Sequence, residues 1–349
     1  MIGWTEIDDA NAWAHTLATL PAAHVLQSWA WGAFKSRWGW SARRWAASDC
    51  AVQVLRRSAG PFCVLYATKG PVARDLAGYE RGLQLIEAQA RNQRAIWAKV
   101  DGDPPTTGVV WSPADLDALR ALLRRRGWLP SPEQIQFRNT LLTDVDAADE
   151  VLLSHMGSKC RYNVRLSERR GVRVRMAQPL STADADLLYG LYAETGARDG
   201  FQVREKPYYL DAWKALGGAG FIAEHEGVPL AGLIVFKHGR RAWYFYGMSG
   251  AAGREHMPNY LLQWQALRWA RDNGCTVYDW WGAPEALVET DSMWGVYRFK
   301  ESFGATFAEG VGAWDYAPNR ALYRASVEAL PKVRGIIRRG RHPAGATGA

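Results

Sequence analysis

The sequence predicts an α/β protein of two tandem domains, each a mixed, mostly antiparallel sheet flanked by helices. Three observations carry that expectation. A length of 349 residues corresponds to about two domains of ordinary size. A composition that is 48% hydrophobic and 22% charged supports a sizeable core and excludes a disordered chain. And one order of elements occurs twice: antiparallel strands, a Gly/Pro break, an amphipathic helix, then a strand carrying an aspartate at its end.

In chain order, Ala10 to Leu20 reads as a short helix. Between His24 and Trp40, the residues Leu26, Trp29, Phe34 and Trp38 form a helical stripe that Gly39 can stop. Strands follow at Ser41 to Ala47, Cys50 to Arg56 and Pro61 to Thr68, and Lys69-Gly-Pro71 breaks the last. Gly78 to Asn92 is an amphipathic helix and Ala95 to Val100 a strand ending at Asp101. Pro113 to Arg126 is a helix closed by Gly127, and Gln134 to Thr143 a further strand. In the second half, Ala185 to Thr195 is helical, and Gly220 to His225, Pro229 to Phe236 and Ala242 to Met248 are strands. Met257-Pro258 opens a helix to Asn273, and the strand Cys275 to Trp281 carries Asp279. Tyr66 to Asp101 and Tyr246 to Asp279 are nearly equal separations, and a repeat of that length implies two similar domains rather than a solenoid. The expected boundaries are 1–147 plus a C-terminal segment of about 317–349 for the first domain and 148–316 for the second, with 343–349 a disordered tail.

The formal net charge of +8 suits an anionic partner. Between Asp149 and Gly171, Arg161, Arg165 and Arg169 are spaced by four and share one helical face. Lys159, Arg170, Arg173 and Arg175 thicken that patch, which is either a solvated face or a contact for a phosphate backbone. Asn319 to Arg341 reads as a second basic helix, with Lys332, Arg334, Arg338, Arg339 and Arg341 available to nucleic acid or acidic lipid headgroups. The four cysteines, Cys50, Cys63, Cys160 and Cys275, form no CxxC pair and have no histidine at ligand spacing. Neither a zinc site nor a disulfide framework is expected, only free thiols in a reducing compartment. The first residues lack a signal-peptide pattern and no apolar run reaches the ~20 residues of a membrane span, so the expected location is cytoplasmic. Lys300 lies between Phe299 and Phe303, where a lysine either snorkels over an aromatic surface or is desolvated into a catalytic or anion-holding group.

Several pieces, in this order and spacing, carry a resemblance. They are Gln27-Ser-Trp-Ala-Trp-Gly-Ala-Phe-Lys35, Tyr66-Ala-Thr-Lys-Gly-Pro71, Arg161-Tyr-Asn-Val-Arg165 with Gly171-Val172, and Tyr246-Gly-Met-Ser249, then Tyr260-Leu-Leu-Gln-Trp264, Tyr278-Asp-Trp-Trp-Gly282 and Phe299-Lys-Glu-Ser-Phe-Gly304. Over Gln27 to Tyr323 the chain resembles the FemABX (Fem) family of peptidoglycan-bridge aminoacyltransferases. It has no heptad run long enough for the charged helical hairpin of some members, so it is similar to the compact, FemX-like subgroup.

The resemblance implies two tandem acetyltransferase-like (GNAT) domains. It implies transfer of an amino acid from aminoacyl-tRNA, a co-substrate, to the side-chain amine of the peptidoglycan precursor stem peptide. The implied acceptor is UDP-MurNAc-pentapeptide or a lipid-linked precursor. No metal or bound cofactor is implied, and the expected protein is a monomer with a peripheral contact to the inner membrane surface. By the same resemblance Lys35 and Arg204 grip phosphate, Tyr208 and Tyr246 contact substrate, and Asp101 handles the amine proton, with Asp103 competing for that task. Lys300 stabilises the reacting acyl group or the tRNA end. Structural alternatives stand beside these: Lys35 capping a helix, Arg204 pairing with Glu205 or Asp199, Tyr246 in the core. The competing activity is an acyl-CoA-type N-acyltransferase acting on a cell-envelope amine. Arg254-Glu-His-Met-Pro-Asn259 argues against it, because a pyrophosphate-cradling turn needs glycines and free amides where this chain has proline. A third reading is a non-catalytic RNA- or membrane-surface-binding protein.

Overall fold

The structure is a computed structural model that describes residues 3–105 and 110–327. The chain begins with β1 (Thr5–Glu6), α1 (Ala10–Ala18), α2 (Trp29–Arg37), β2 (Ser41–Ala47), β3 (Cys50–Ala59), β4 (Phe62–Ala67), β5 (Val72–Ala73), α3 (Leu76–Asn92), β6 (Ala95–Val100), α4 (Pro113–Arg125) and β7 (Leu129–Pro130). It continues through β8 (Thr140–Asp144), α5 (Asp149–His155), α6 (Ser158–Arg169), β9 (Arg173–Ala177), α7 (Thr182–Asp199), α8 (Lys206–Ala215), β10 (Ala219–His225), β11 (Val228–His238) and β12 (Arg241–Ser249). Then come α9 (Pro258–Asp272), β13 (Val277–Asp279), α10 (Trp294–Glu301), β14 (Thr306–Ala308) and β15 (Trp314–Tyr316). Residues 320–327 are helical.

Two sheets result. One is eight-stranded, in the order β1-β2-β3-β4-β6-β15-β7 with β5 beside β3; the other is seven-stranded, in the order β14-β8-β13-β12-β11-β10-β9. Each contains one parallel pair, β4 with β6 and β12 with β13, and the remaining pairs are antiparallel. Those two pairs are the repeat seen in the sequence: α3 crosses over in the first and α9 in the second, since a parallel neighbour needs such a connection. The echo holds for elements and not for residues. Tyr66 lies opposite Lys99, two positions before Asp101, whereas Asp279 lies opposite Trp243 and not Tyr246.

Local sequence explains the helix starts. Asp75 accepts from Gly78 N at 2.8 Å to cap α3, and Ser112 with Asp115 forms a capping box at α4, with Pro113 in its first turn. The expected strand Gln134 to Thr143 is shorter than predicted. Gln134 and Asn139 spend their side chains on other loops: Gln134 Oε1 accepts from Ala313 N, and Asn139 Nδ2 donates to Pro284 O. The strand carrying Asp279 also ends early, because Trp281 has a positive φ of 55°.

The halves pack together. Val25, Leu26 and Phe34 join Ile222, Ile234, Phe236 and Trp243 in one core cluster, and Leu142, Val277 and Ala308 reach the core of the first sheet. The four cysteines are buried, and burial pushes Cys50 up to about 12 and Cys160 to about 11, so these thiols are inert. No described helix is long and apolar enough to cross a membrane. The basic residues from Lys332 to Arg341 and the tail 343–349 lie outside the described residues.

Candidate functional site

Two polar centres lie where the halves meet. The first is built on α2 and α8. Ser28 caps α2 by accepting from Trp31 N at 3.2 Å, which sets the phase that turns Phe34, Lys35 and Trp38 toward α8. Phe34 and Trp38 each meet the Tyr208 ring edge-on at 5.0 Å, and Asp211 ties the helices by accepting from Trp38 Nε1 (2.8 Å) and pairing with Arg37 (2.6 Å). Lys35 Nζ sits 5.4–5.8 Å from the ring centres of Trp31, Phe34, Trp40 and Tyr208 and donates to Tyr208 Oη at 3.4 Å. The Arg204 guanidinium lies 4.8 Å over the same Tyr208 ring.

Neither cation has a carboxylate partner among the described residues; Asp199 pairs with Arg198 instead. Burial, and after it repulsion from Arg204 and Arg57, lowers the Lys35 pKa to about 8. Unpaired, mutually repelling cations beside hydroxyls have the chemistry to hold an anion. Tyr246 is half-buried, packs on Tyr209 (5.6 Å) and Tyr192 (5.5 Å), and is close enough to Tyr208 and Arg204 to feel their charge. The structure therefore brings Lys35, Arg204, Tyr208 and Tyr246 together, with neither a capping Lys35 side chain nor an acid-paired Arg204.

The second centre lies at the ends of β6 and β13. Asp101 is buried; Tyr66 Oη donates to its Oδ2, and Lys69 N donates to its Oδ1 at 2.6 Å. Burial raises its pKa, opposed chiefly by the Lys69 ammonium and the Tyr66 hydrogen bond. Asp103 lies nearby, more open, 3.5 Å from Lys69 Nζ. Asp279 accepts from Thr140 Oγ1 and from Trp281 N, and Arg241 lies 3.8 Å away.

Lys300 on α10 is buried, and its Nζ donates to three carbonyls: Trp280 (2.7 Å), Trp281 (2.8 Å) and Gly282 (2.7 Å). An ammonium has three hydrogens, so all are committed to this turn. Burial lowers its pKa to about 7 while Asp279 and the carbonyls favour the charged form. The turn is the one where Trp281 adopts its left-handed backbone, which a bulky residue keeps only when its surroundings enforce it.

Trp281 connects the centres. Its ring stacks on Phe245 (4.3 Å), next to Tyr246, and also meets His24 (5.5 Å) and the Lys69 ammonium (5.8 Å). Sequence reasoning did not single out His24, Lys69, Arg241 or Trp281. Lys69 stands in the strand-breaking Lys-Gly-Pro of Tyr66 to Pro71 and Trp281 in Tyr278 to Gly282, two of the pieces that carry the resemblance, but neither has a role assigned there.

The arginine stripe on α6 is narrower than its spacing predicts. Arg161 turns back to the end of α5, donating to Leu153 O (3.2 Å) and Met156 O. Arg165 and Arg169 remain exposed, with Arg169 5.6 Å from the ring of exposed Tyr162.

Two mixed sheets in tandem, each with one parallel crossover pair, define a tandem GNAT-like fold. The fold matches the crystal structure of FemX with a TM-score of 0.81 at 21% identity, covering 92% of this chain and 99% of that one. It also matches a tandem GNAT protein from the clavulanic acid biosynthesis pathway with a TM-score of 0.56 at 12% identity, covering 91% and 98%. Lipid II:glycine glycyltransferase from Staphylococcus haemolyticus (strain JCSC1435) is 23% identical, covering 90% of this chain and 92% of its own. The FemAB family pattern matches residues 130–222 and 220–330, more than half of the chain. The chain belongs to the FemAB family.

Proposed function

We propose that this protein is an aminoacyltransferase that moves an amino acid from aminoacyl-tRNA to the side-chain amine of a peptidoglycan precursor stem peptide. The observation that carries the reading is the acid-free pair Lys35 and Arg204, hydrogen-bonded and stacked on Tyr208, in a chain of this family. A precursor linked through a diphosphate, whether to a nucleotide or to a lipid, presents the anion such a pair holds. The relatives' name specifies lipid II as their substrate, which supports a lipid-linked acceptor here.

The chemistry is aminolysis of an ester. A neutral amine attacks the aminoacyl carbonyl, the tetrahedral intermediate collapses, and the tRNA terminal hydroxyl leaves. The ester is already activated, so alignment supplies most of the acceleration. In this reading Asp101, its pKa raised by burial, accepts the proton that the amine loses. Lys300 holds the Trp280–Gly282 turn, and with it Trp281, rather than reaching the acyl group with a spare hydrogen. The exposed Tyr162, Arg165 and Arg169 face suits a stacked base and a phosphate backbone.

The test is direct. Purified protein, a panel of charged tRNAs and either UDP-MurNAc-pentapeptide or its lipid-linked form are incubated, and the stem peptide is weighed by mass spectrometry. One added aminoacyl residue is expected. No transfer from any charged tRNA to either acceptor would sink the reading.

A further inference from the structure

Arg44 on β2 is buried, and burial pulls its pKa down to about 10. Its Nε has no hydrogen-bond partner among the described residues, and neither has the side-chain amide of Gln53, the residue opposite it on β3. A buried cation without a counter-ion either binds an anion or holds a neighbouring element in place. The space around it decides between the two. The guanidinium lies 3.7 Å over the Trp29 ring and donates through Nη2 to Trp29 O at 3.3 Å. Gly32 of α2 sits against it: a Cβ there would stand 2.2 Å from Gln53 Oε1 and 2.3 Å from Arg44 Nη2. That point has no room for a methyl group, let alone an anion. The backbone of α2 rests directly on the two side chains.

Gln27 fixes the approach to the helix. Its Nε2 donates to Gln53 O (3.2 Å) and Thr68 O (2.8 Å), and its Oε1 accepts from Gln53 N (2.7 Å). The chain is therefore held to β3 just before α2 and again within it. On its other side α2 carries Phe34, Lys35 and Trp38 to Tyr208 of α8. Lys35 comes from the first half of the chain and Arg204 and Tyr208 from the second, so the depth of α2 on its strands sets how the two cations face each other. The groups around Lys35 Nζ have three origins. Trp31 and Phe34 belong to α2 itself. Trp40 precedes β2, and Arg57 of β3 lies 5.8 Å from its ring. Tyr208 belongs to α8, with Arg204 over its ring. Lifting α2 off β2 and β3 draws Lys35 away from Trp40 and Arg57, which removes burial and repulsion together.

We propose that Gly32 and Arg44 are positioning residues: they seat α2 at the depth that holds Lys35 in its aromatic enclosure beside Arg204 and Tyr208, and so set the affinity for the anion. A methyl group on Gly32 has to displace a close-packed amide and a guanidinium. Alanine is the better helix former, so harm done by Gly32→Ala comes from that contact. Arg44→Lys keeps the positive charge and loses the planar group that stacks on Trp29. The inference rests on the aminoacyl-transfer reading only for the identity of the anion as the acceptor's diphosphate.

Two measurements test it. The first needs no ligand: competitive acetylation with acetic anhydride, followed across pH by mass spectrometry of the Lys35 peptide, reads the proton affinity of Lys35. The wild-type midpoint is expected at about 8. In Gly32→Ala and in Arg44→Lys it rises by about one pH unit or more, a roughly tenfold gain in proton affinity. The second is calorimetry with UDP-N-acetylglucosamine. In each variant the dissociation constant at pH 7 rises about fivefold or more, and its ratio between pH 9 and pH 7 falls from about tenfold to about threefold or less. A purely structural role would lower the melting temperature and leave both readings in place. Arg44→Lys covers the case in which Gly32→Ala does not fold. A midpoint unchanged in every folded variant, a wild-type midpoint at the ordinary lysine value, or dissociation constants within twofold of wild type despite a shifted midpoint overturns the proposal. Neither measurement contains tRNA or an acceptor amine, so failure of transfer leaves it standing. Shifted midpoints in a protein that does not bind UDP-N-acetylglucosamine would keep the seat and reject the diphosphate, and tight binding with unshifted midpoints would do the reverse.

Discussion

Affinity for a diphosphate ligand is expected to fall as pH rises through about 8, because Lys35 loses its proton there. The sign follows from the direction of the shift. Burial and the neighbouring arginines disfavour the ammonium in the free protein, a bound phosphate restores it, and binding above pH 8 therefore takes up a proton. With a pKa of about 8, the charged fraction drops from about 0.9 at pH 7 to about 0.1 at pH 9, which weakens binding about tenfold, or ~1.4 kcal/mol. The assay is calorimetry with UDP-N-acetylglucosamine, whose phosphates stay ionised throughout, in buffers of different ionisation enthalpy so that proton uptake is read directly. Lys35→Arg keeps its charge across this range and is expected to flatten the profile. A flat wild-type profile between pH 7 and 9, or the same slope in Lys35→Arg, would refute the reasoning.

Three further outcomes are expected. Lys300→Met strands three buried carbonyls; offset by removal of one buried ammonium, the net loss is about 3 kcal/mol in urea denaturation. A loss below about 1 kcal/mol together with abolished transfer would instead place Nζ on the substrate. Asp315→Ala leaves Lys99, now 2.8 Å from Asp315 and almost fully buried, without its counter-ion, and is expected to cost about 3–5 kcal/mol; an unchanged melting temperature would contradict this. Asp101→Asn keeps an acceptor for Tyr66 but cannot take a proton, so kcat is expected to fall about 10²–10⁴-fold, and a kcat within twofold of wild type would free Asp101 from that role.

Most of the fold was legible because the signals were local. The β6 limits, Ala95 to Val100, follow from a run that carries Ile96, Trp97 and Val100, and the β2 limits, Ser41 to Ala47, from the turn signals on either side, Gly39 before it and Ser48-Asp49 after it. What escaped depends on distant partners. β14 and β15 have three residues each and exist only because β8, β6 and β7 pair with them. The α10 helix spans only eight residues and has no side-chain cap to announce it. The same division runs through the site. Lys35, Arg204, Tyr208 and Tyr246 were named through resemblance, and the structure brings them together. His24 opens a helical stretch in the sequence, yet its burial comes from Trp243 and Trp281, which pack against it from far along the chain. No periodicity carries that information. The stripe Arg161, Arg165 and Arg169 shows the limit of spacing: a shared face does not say which side chain will turn aside to satisfy a neighbouring helix end.

The placement of β15 sets an order of assembly. As the ribosome releases the chain from its N-terminus, every strand of the second sheet, from Thr140 to Ala308, emerges before Trp314. The first sheet, although most of it is made first, waits with β6 and β7 apart until β15 slides between them. The half synthesised earliest is thus the half completed last. A nick or premature stop shortly before Trp314 would spare the hydrogen-bonded ladder nearest to it and open the one that began the molecule.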